Sequence, residues 1–189
     1  MIRDLVVATR SVRRFHQHEP VDLETLRALV DLARLSASAA NVQPLKYILS
    51  CEPERNARIF PLLAWAGYLK DWPGPVEGER PAAYIVILVD KHLRQSVDCD
   101  HGIAAQSMLL GASERGLSGC IIASIQRREL REALAIPEHL EILLVLALGK
   151  AKEKVVLEPL GPDGDVKYWR DADGVHHVPK RALDDIIVG

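Results

Sequence analysis

Several signatures of common enzyme classes are missing from this sequence of 189 residues. It has no Gly-x-Ser-x-Gly nucleophile elbow, no P-loop and no Gly-x-Gly-x-x-Gly fingerprint. These motifs place a nucleophile or a phosphate at a fixed turn between a strand and a helix. Without them, neither a hydrolase nor a protein that binds NAD on a Rossmann fold is supported.

Cysteine and net charge are also scarce. The three cysteines lie far apart at positions 51, 99 and 120, and none belongs to a Cys-x-x-Cys pair. This spacing argues for a reducing compartment and against a disulfide framework or a zinc ribbon. The formal net charge is −2 at pH 7, so no overall basic field points to nucleic acid or to an anionic membrane.

Long apolar runs are absent as well. The apolar run over residues 142–148, like the run over residues 83–89, is far too short to span a bilayer. The N-terminus carries Asp4 and no extended apolar segment, which is unlike a signal peptide. We therefore predict a soluble cytoplasmic protein with no membrane partner, and the length fits one domain with a core of its own.

Hydrophobic periodicity predicts helices and strands in mixed order. Helical spacing marks a short first helix from Ile2, a helix from the N-cap Asp22 to about Leu35, residues 54–69 with an interruption at Pro61, and residues 98–115 and 127–135. Strand-like runs cover residues 45–50, 83–89, 119–123 and 141–149, and a hairpin turn is predicted at residues 171–174. This order favours an α/β or α+β fold whose sheet is covered on both faces.

Residues 36–44 are a run of small and polar side chains between a helical and a strand-like segment. The run reads Ser-Ala-Ser-Ala-Ala-Asn-Val-Gln-Pro. Its Ser, Asn and Gln side chains both donate and accept hydrogen bonds, and its alanines let another surface come close. From the residues alone two interpretations stay open: a helix end that runs into a proline-stopped loop, or a binding loop.

A second stretch, residues 10–15, changes the balance between these two interpretations. It reads Arg-Ser-Val-Arg-Arg-Phe. Together the two stretches resemble the FMN-dependent nitroreductase family, which opens with Arg-Ser-x-Arg-x-Phe and follows with Pro-Ser-x-x-Asn-x-Gln-Pro. Here Ala37 stands where the family usually has proline, and Leu45 where it often has tryptophan.

The resemblance implies a fold and an assembly. It implies an α+β fold, a nitroreductase-like α/β/α sandwich with a central, mostly antiparallel sheet, and an intertwined homodimer with shared active sites. Residues 1–189 would form one nitroreductase-like domain, with residues 151–189 a C-terminal extension that packs on the partner subunit. From the residues alone, the tail could equally wrap its own domain.

The resemblance also assigns cations to FMN. An FMN phosphate carries about two negative charges near neutral pH and attracts Arg, Lys and hydroxyl donors. By resemblance, Arg10 and Ser11 face the phosphate and ribityl chain, Arg13 lies near the pyrimidine edge, and Lys180 and Arg181 bind the phosphate. Without the resemblance, residues 10–13 would be a solvated basic turn, and Lys180 and Arg181 a surface pair.

Two further segments are placed beside the flavin by the same resemblance. The first segment, with Ala37, Ser38 and Asn41, reaches the flavin from the partner subunit. The second segment, with Ile122, Ala123 and Ser124, lies near flavin N5. Without the resemblance, the second segment is a core strand. Gln43 is predicted to order its loop, and Cys120 to be a small buried residue. Trp65, Tyr68, Lys70 and Trp72 form either a lid over the ring or part of the core.

The function implied is that of an FMN-dependent oxidoreductase. Tightly bound FMN would take a hydride from NAD(P)H and pass it to an electron-poor small molecule, such as a nitroaromatic or a quinone, by a ping-pong mechanism. No side chain is required as a catalytic acid or base. Other flavin chemistry, including dehalogenation and flavin breakdown, and a non-catalytic flavin-binding module remain alternatives. No metal site is predicted, because residues 98–101 and His176-His177 supply ligand types without a full ligand set.

Overall fold

The computed structural model describes all 189 residues and has a four-stranded antiparallel sheet at its centre. The helices are α1 (Ile2–Ala8), α2 (Leu23–Leu35), α3 (Pro53–Ile59), α4 (Asp100–Glu114) and α5 (Arg127–Leu134). The strands are β1 (Leu45–Ser50), β2 (Ala83–Asp90), β3 (Ser118–Ile122), β4 (Leu140–Gly149), β5 (Val155–Pro159), β6 (Trp169–Arg170) and β7 (His176–Lys180). Single 3₁₀ turns cover Ala39–Asn41 and Phe60–Leu62.

The central sheet has the strand order β1-β2-β4-β3, and every neighbouring pair is antiparallel. Strands β2 and β4 occupy the middle, and their side chains alternate between two cores. Ile85 and Ile87 face the core under α2 and α4, whereas Tyr84 and Val86 face the core under α3 and α5. Helices therefore cover both faces of the sheet, as the continuous apolar runs predict.

A β-bulge interrupts the pairing of β2 with β4. Ile87 pairs with Leu144 and Leu88 pairs with Ile142, so Leu143 is the extra residue. Arg127 donates to the carbonyl oxygens of Ile142 and Leu143 at 3.0 and 3.2 Å. The first residue of α5 thus satisfies backbone groups near the bulge.

Local sequence signals explain most element boundaries. Asp22 accepts a hydrogen bond from the Thr25 backbone N–H at 2.7 Å, as expected of an N-cap. Gly111 on α4 faces Leu29 and Leu32 of α2 so closely that a Cβ would collide, so its lack of a side chain lets the two helices approach. The predicted helix over residues 54–69 is wrong after Leu62, because Pro61 ends the regular hydrogen bonding and Leu63 is extended.

The C-terminal segment forms a second, small sheet with the order β5-β7-β6. The predicted hairpin is confirmed: Trp169 and Arg170 pair antiparallel with His177 and His176. This hairpin contacts its own domain, since Tyr168 packs against Tyr68 in a tilted arrangement with 5.0 Å between ring centroids. Packing of the C-terminal extension on a partner subunit stays a prediction.

Two apolar surfaces are left open in the single chain. On α1, Ile2 is 66% exposed and no residue of the helix is buried. Near the C-terminus, Leu183, Ile186 and Ile187 are also exposed. None of the helices has the length and hydrophobicity needed to cross a bilayer.

Candidate active site

The basic segment around Arg13 runs along the edge of the central sheet. Val12 donates its backbone N–H to the Gly119 carbonyl at 3.0 Å, and Ser11 forms an isolated bridge to Gly119. A Cβ on Gly119 would lie 2.7 Å from a Leu109 methyl and 2.8 Å from the Ala147 carbonyl oxygen. Glycine is therefore needed where the segment, β3 and α4 meet.

This contact places Arg13 at an open cavity of about 180 Å³. The cavity is lined by Arg13, by residues 64–67 and by residues 120–124. The Ala64 backbone N–H donates to the Ser124 carbonyl at 2.9 Å, and a bridge joins Leu63 to Ile125. The structure therefore joins the Arg-Ser-x-Arg segment, the strand predicted to face flavin N5, and the start of the predicted lid.

Within the strand predicted to face the flavin, the side chains divide between core and surface. Ile122 is 4% exposed and packs in the core, so only its backbone can face a ligand. Ile121 is 38% exposed and lines the cavity, although sequence reasoning did not single it out. Ala123 and Ser124 are exposed at the cavity. Cys120 is buried, as predicted, and burial raises the pKa of its thiol.

Neutral partners surround the Arg13 guanidinium. Its Nη1 lies 3.3 Å from His176 Nε2 and donates to the Ser11 carbonyl at 3.3 Å. Its guanidinium carbon lies 4.9 Å from the centre of the Tyr168 ring, within the range of a cation–π contact. Burial, followed by the charge of Arg13, lowers the pKa of His176 to about 4, so His176 is neutral at physiological pH.

A buried carboxylate fixes the Arg13 backbone instead. Glu153 accepts the backbone N–H groups of Arg13 and Arg14, and its side chain has no exposed surface. Arg170 donates to the second carboxylate oxygen at 2.7 Å and supplies the compensating charge. The Arg13 side chain itself forms no salt bridge and keeps its positive charge available at the cavity.

The neighbouring Arg14 is committed to the fold. Its Nε and Nη2 each lie 2.6 Å from a carboxylate oxygen of Glu79, and Lys152 approaches Glu79 at 3.1 Å. The hydrogen bond from Arg14 is the largest cause that lowers the pKa of Glu79 to about 2. Arg13 and Arg14 therefore have opposite roles although they are adjacent in sequence.

Arg10 lies near the end of α1. Its Nη2 donates to the Val6 carbonyl at 2.7 Å, and its Nε is buried with no hydrogen-bond partner. Burial lowers the pKa of the guanidinium. A buried donor of this kind is costly until an acceptor reaches it.

A second buried carboxylate orders residues 36–44. Ser38 donates its hydroxyl to Asp100 at 2.7 Å, and the Ala39 backbone N–H lies 3.2 Å from the same carboxylate. Ser38 Oγ in turn accepts the Gln43 backbone N–H at 3.0 Å. Asp100 is 3% exposed and has no salt-bridge partner. The Ser38 hydroxyl is thus engaged within the loop.

The backbone of this loop is strained, and one side chain is left free. Ala40, Asn41 and Gln43 have φ of 53°, 53° and 54°, in the left-handed region that non-glycine residues rarely adopt. Gln43 Nε2 donates to the Asn41 carbonyl at 3.3 Å. The exposed Asn41 amide has no partner of its own. Ala37 and Ser38 line a separate cavity of about 140 Å³.

The last two predicted residues, Lys180 and Arg181, lie at the end of β7. They are exposed and line a groove with residues 157–161 that includes neither Arg10 nor Arg13. Within one chain the predicted residues therefore occupy three places: the Arg10–Arg13 segment with the cavity beside it, the 36–44 loop, and this groove.

The predicted lid is part core and part surface. Trp65 is 9% exposed, packs in the second core and lines the Arg13 cavity. Tyr68 is 51% exposed and packs against Tyr168 in a tilted arrangement, while Arg170 lies 4.4 Å from the Trp72 ring centre. The core interpretation is therefore confirmed for Trp65, and a lid over a flavin ring stays a prediction.

Sequence reasoning missed the residues that position the predicted ones. Glu153 lies in the run Lys-Glu-Lys, which is typical of a solvated surface, and carried no signal. His176 could be noticed only as half of a His-His pair. Asp100 was weighed as a metal ligand, whereas its carboxylate holds Ser38 and Ala39.

Comparisons with known proteins bear on the family and the fold of the chain. A family model described as the nitroreductase family matches residues 6–150. A protein of Bacillus subtilis (strain 168) named as an NAD(P)H nitroreductase, YodC, is 22% identical over 196 residues, covering 88% of this chain and 97% of that protein.

Solved structures share the fold. An FMN-dependent nitroreductase from Clostridium difficile R20291 superposes with a TM-score of 0.65 at 23% identity, over 82% of this chain and 89% of that one. A nitroreductase from Exiguobacterium sibiricum 255-15, solved in complex with FMN, gives 0.67 at 18% identity, over 80% and 89%. The predicted nitroreductase-like α+β fold with its mostly antiparallel sheet is confirmed.

Proposed function

The chain belongs to the nitroreductase family, an oxidoreductase family, and from this premise we propose that it transfers hydride from NAD(P)H, through bound FMN, to an electron-poor acceptor. The observation that carries the proposal is the Arg13 guanidinium, which lines the cavity beside β3 without a carboxylate partner. A nitroaromatic or a quinone is the acceptor class we propose, with NAD(P)H and acceptor using the site in turn.

The residues at the proposed site fit an anionic, flat cofactor. Arg13 and Arg10 are cations without carboxylate partners, and Arg10 Nε is a buried donor that lacks an acceptor. The β3 strand lies at the edge of the sheet, so its outer backbone groups beyond Gly119 are open to a ligand. Lys180 and Arg181 add two exposed cations for a phosphate.

FMN supplies the hydride chemistry when it is bound, and the protein supplies binding, orientation and charge. We propose that Arg13 places a fixed positive charge at the pyrimidine edge, where negative charge is stabilised by a cation held in advance. Arg10, Ser11, Lys180 and Arg181 would hold the phosphate and ribityl chain. Backbone groups from Ile122 to Ser124 would face the reactive edge of the ring.

We further propose that a second copy of the chain completes the site. The 36–44 loop presents the free Asn41 amide and lines a different cavity from Arg13, so both can serve one ligand if two subunits share it. The exposed apolar residues of α1 and of residues 183–187 are suited to burial in such a homodimer. Light scattering after size-exclusion chromatography should give a dimer; a flavin-loaded monomer would contradict this part of the proposal.

The test of cofactor and activity uses the full chain purified without added flavin. We expect a flavin absorbance spectrum, release of FMN on denaturation, and steady-state NAD(P)H oxidation with a nitroaromatic or a quinone. A protein that is colourless and fails to bind added FMN would overturn the proposal. A dimer fully loaded with FMN that shows no turnover would favour a flavin-binding module instead.

A further inference from the structure

We propose that Asp90, His92 and His139 form a binding site for a late first-row divalent metal ion, with Zn²⁺ as the expected occupant. The three side chains each offer one ligand atom, and these atoms all lie within 4.8 Å of one another. The site is independent of the proposed flavin site and includes none of its residues.

The ligand set selects the class of metal. Two imidazoles and one carboxylate form a borderline nitrogen and oxygen set, which suits Zn²⁺, Ni²⁺ or Cu²⁺. Mg²⁺ and Ca²⁺ prefer sites made wholly of oxygen. Three protein ligands leave at least one position for water, the composition of an open zinc site.

The fold holds two of the three ligands at adjacent points. Asp90 ends β2 and pairs with Leu140 at the start of β4, so His139 lies opposite Lys91. The Lys91 backbone N–H donates to the His139 carbonyl at 2.9 Å and fixes this juxtaposition. The pairing of β2 with β4 therefore brings two separate segments of the chain together at this end of the sheet.

The third ligand is positioned by a tight turn. The His92 backbone N–H donates to Asp90 Oδ1 at 3.0 Å, and the Leu93 and Arg94 N–H groups donate to the Asp90 carbonyl. His92 Nδ1 lies 3.9 Å from Asp90 Oδ1. The His92 and His139 rings are stacked, with centroids 4.4 Å apart and planes within 5°.

Only a side-chain rotation separates this arrangement from a coordination sphere. Zinc bonds of about 2.0–2.1 Å place neighbouring tetrahedral ligand atoms about 3.3 Å apart. The ligand atoms of Asp90, His92 and His139 are within 4.8 Å of one another and must therefore move closer together. Each bond must also lie in the plane of its imidazole, so two parallel rings cannot share an ion until one turns. The His92 side chain is 74% exposed and free to make that turn.

The other histidine and carboxylate clusters are already occupied. The Asp100 carboxylate holds Ser38 and Ala39. His177 has both ring nitrogens within 3.0 Å of carboxylates, from Glu158 and Asp171, whereas His176 turns to Arg13 on the other side of β7. Asp90, His92 and His139 are the one group of three whose ligand atoms converge.

The experiment is a calorimetric titration of the metal-stripped full chain with Zn²⁺, in a buffer that does not bind zinc. We expect one ion per chain with micromolar affinity and a higher thermal unfolding temperature, because the ion binds only the folded arrangement. His92→Ala and His139→Ala should each weaken binding by about 100-fold, at least the cost of losing a supporting residue. His18→Ala, which removes an exposed histidine elsewhere, is the matched control and should not change the affinity.

Three results would overturn the proposal. Failure of the wild-type chain to bind at millimolar Zn²⁺ would do so, and so would equal affinity in wild type, His92→Ala and His139→Ala. Cobalt titration separates these ligands from Cys51 and Cys99, because thiolate ligation adds an intense near-ultraviolet charge-transfer band; such a band would assign the metal to cysteine and overturn the proposal. An unchanged circular dichroism spectrum in both histidine variants shows that they are folded.

Discussion

The Arg13 segment and the 36–44 loop are each held by a buried carboxylate, but the two carboxylates differ in how their charge is compensated. In each, a buried carboxylate from a distant part of the chain accepts backbone N–H groups: Glu153 for Arg13 and Arg14, and Asp100 for Ala39. Glu153 is compensated by Arg170, whereas Asp100 has only hydrogen bonds. An ion pair therefore stabilises the first anchor, whereas hydrogen bonds alone hold the strained backbone of the second region.

This difference explains which side chains are left for a ligand. The Glu153 anchor binds the main chain of Arg13 and leaves its guanidinium without a carboxylate. The Asp100 anchor consumes the Ser38 hydroxyl and leaves the Asn41 amide. A preorganised site requires a main chain that is held in place and a side chain that is not already bound within the protein.

The largest effect is expected from Glu153→Ala. It leaves the Arg170 charge buried without its partner and two backbone donors without an acceptor. Breaking a buried ion pair in this way costs about 3–5 kcal/mol of unfolding free energy. Urea unfolding measures it, with the exposed Glu138→Ala as control, which should stay within about 0.5 kcal/mol of wild type. Equal losses in the two variants would remove Glu153 from its anchoring role.

A smaller loss is expected from Asp100→Ala, because no buried cation is stranded. The Ser38 hydroxyl and the Ala39 N–H lose their acceptor, at a cost of about 1–3 kcal/mol. Hydrogen exchange should accelerate over residues 36–44 and FMN retention should fall. Asp98→Ala, an exposed aspartate two residues away, is the matched control. If both variants exchange alike, the loop is held by something other than Asp100.

The paired variants Arg13→Ala and Arg14→Ala separate ligand contact from fold. Removing the Arg13 cation should make the FMN reduction potential more negative by about 30 mV, equivalent to roughly 1.4 kcal/mol for a two-electron couple. Arg14 is paired with Glu79, so Arg14→Ala should lower the free energy of unfolding by about 1 kcal/mol without changing the FMN reduction potential. A redox titration measures both; an unchanged potential in Arg13→Ala would place Arg13 outside the site.

A pH dependence of stability is expected at His176. Its pKa is lowered to about 4 in the folded chain, chiefly by burial and then by Arg13. The unfolded state therefore binds more protons between about pH 4 and 6.5, so unfolding free energy should fall as pH falls through that window. His176→Gln should flatten the decline, which totals about 3 kcal/mol over the whole window.

His177 supplies the opposite sign as a control for that experiment. Hydrogen bonds that the His177 ring donates to Asp171 and Glu158 raise its pKa, so its contribution to stability is present below the unfolded pKa and is lost as pH rises through the folded pKa. His177→Gln should therefore steepen the acid decline that His176→Gln flattens. Identical pH profiles for the two variants would contradict the assignment of neutral His176 to Arg13.

Much of the fold could be predicted because its signals are local. The runs of residues 83–89 and 141–149 are apolar on both faces, and they form the two middle strands. The failure at residues 63–69 has a local cause, since helical spacing continued past Pro61 while the backbone could not. The predicted site residues came from motifs, and their roles toward FMN stay predictions.

The positioning residues could not be predicted from the sequence, because their partners are remote. Glu153 holds the backbone of a residue 140 positions earlier, and Asp100 holds one 61 positions earlier. Neither carboxylate has a neighbour in sequence that marks it as buried. His139 meets His92 only because β2 and β4 pair in a particular register.

The sequence by itself determined most of the secondary structure, the two apolar faces of the sheet and the family, because caps, periodicity and short motifs depend on neighbours in the chain. Only the tertiary structure decided that Arg13 has no carboxylate partner while Arg14 is paired with Glu79. It also decided that the Ser38 hydroxyl is bound within its own loop and that Asp90 lies close to two histidines. These outcomes depend on which charges and donors meet after the strands pair, and burial then sets what each group costs or contributes.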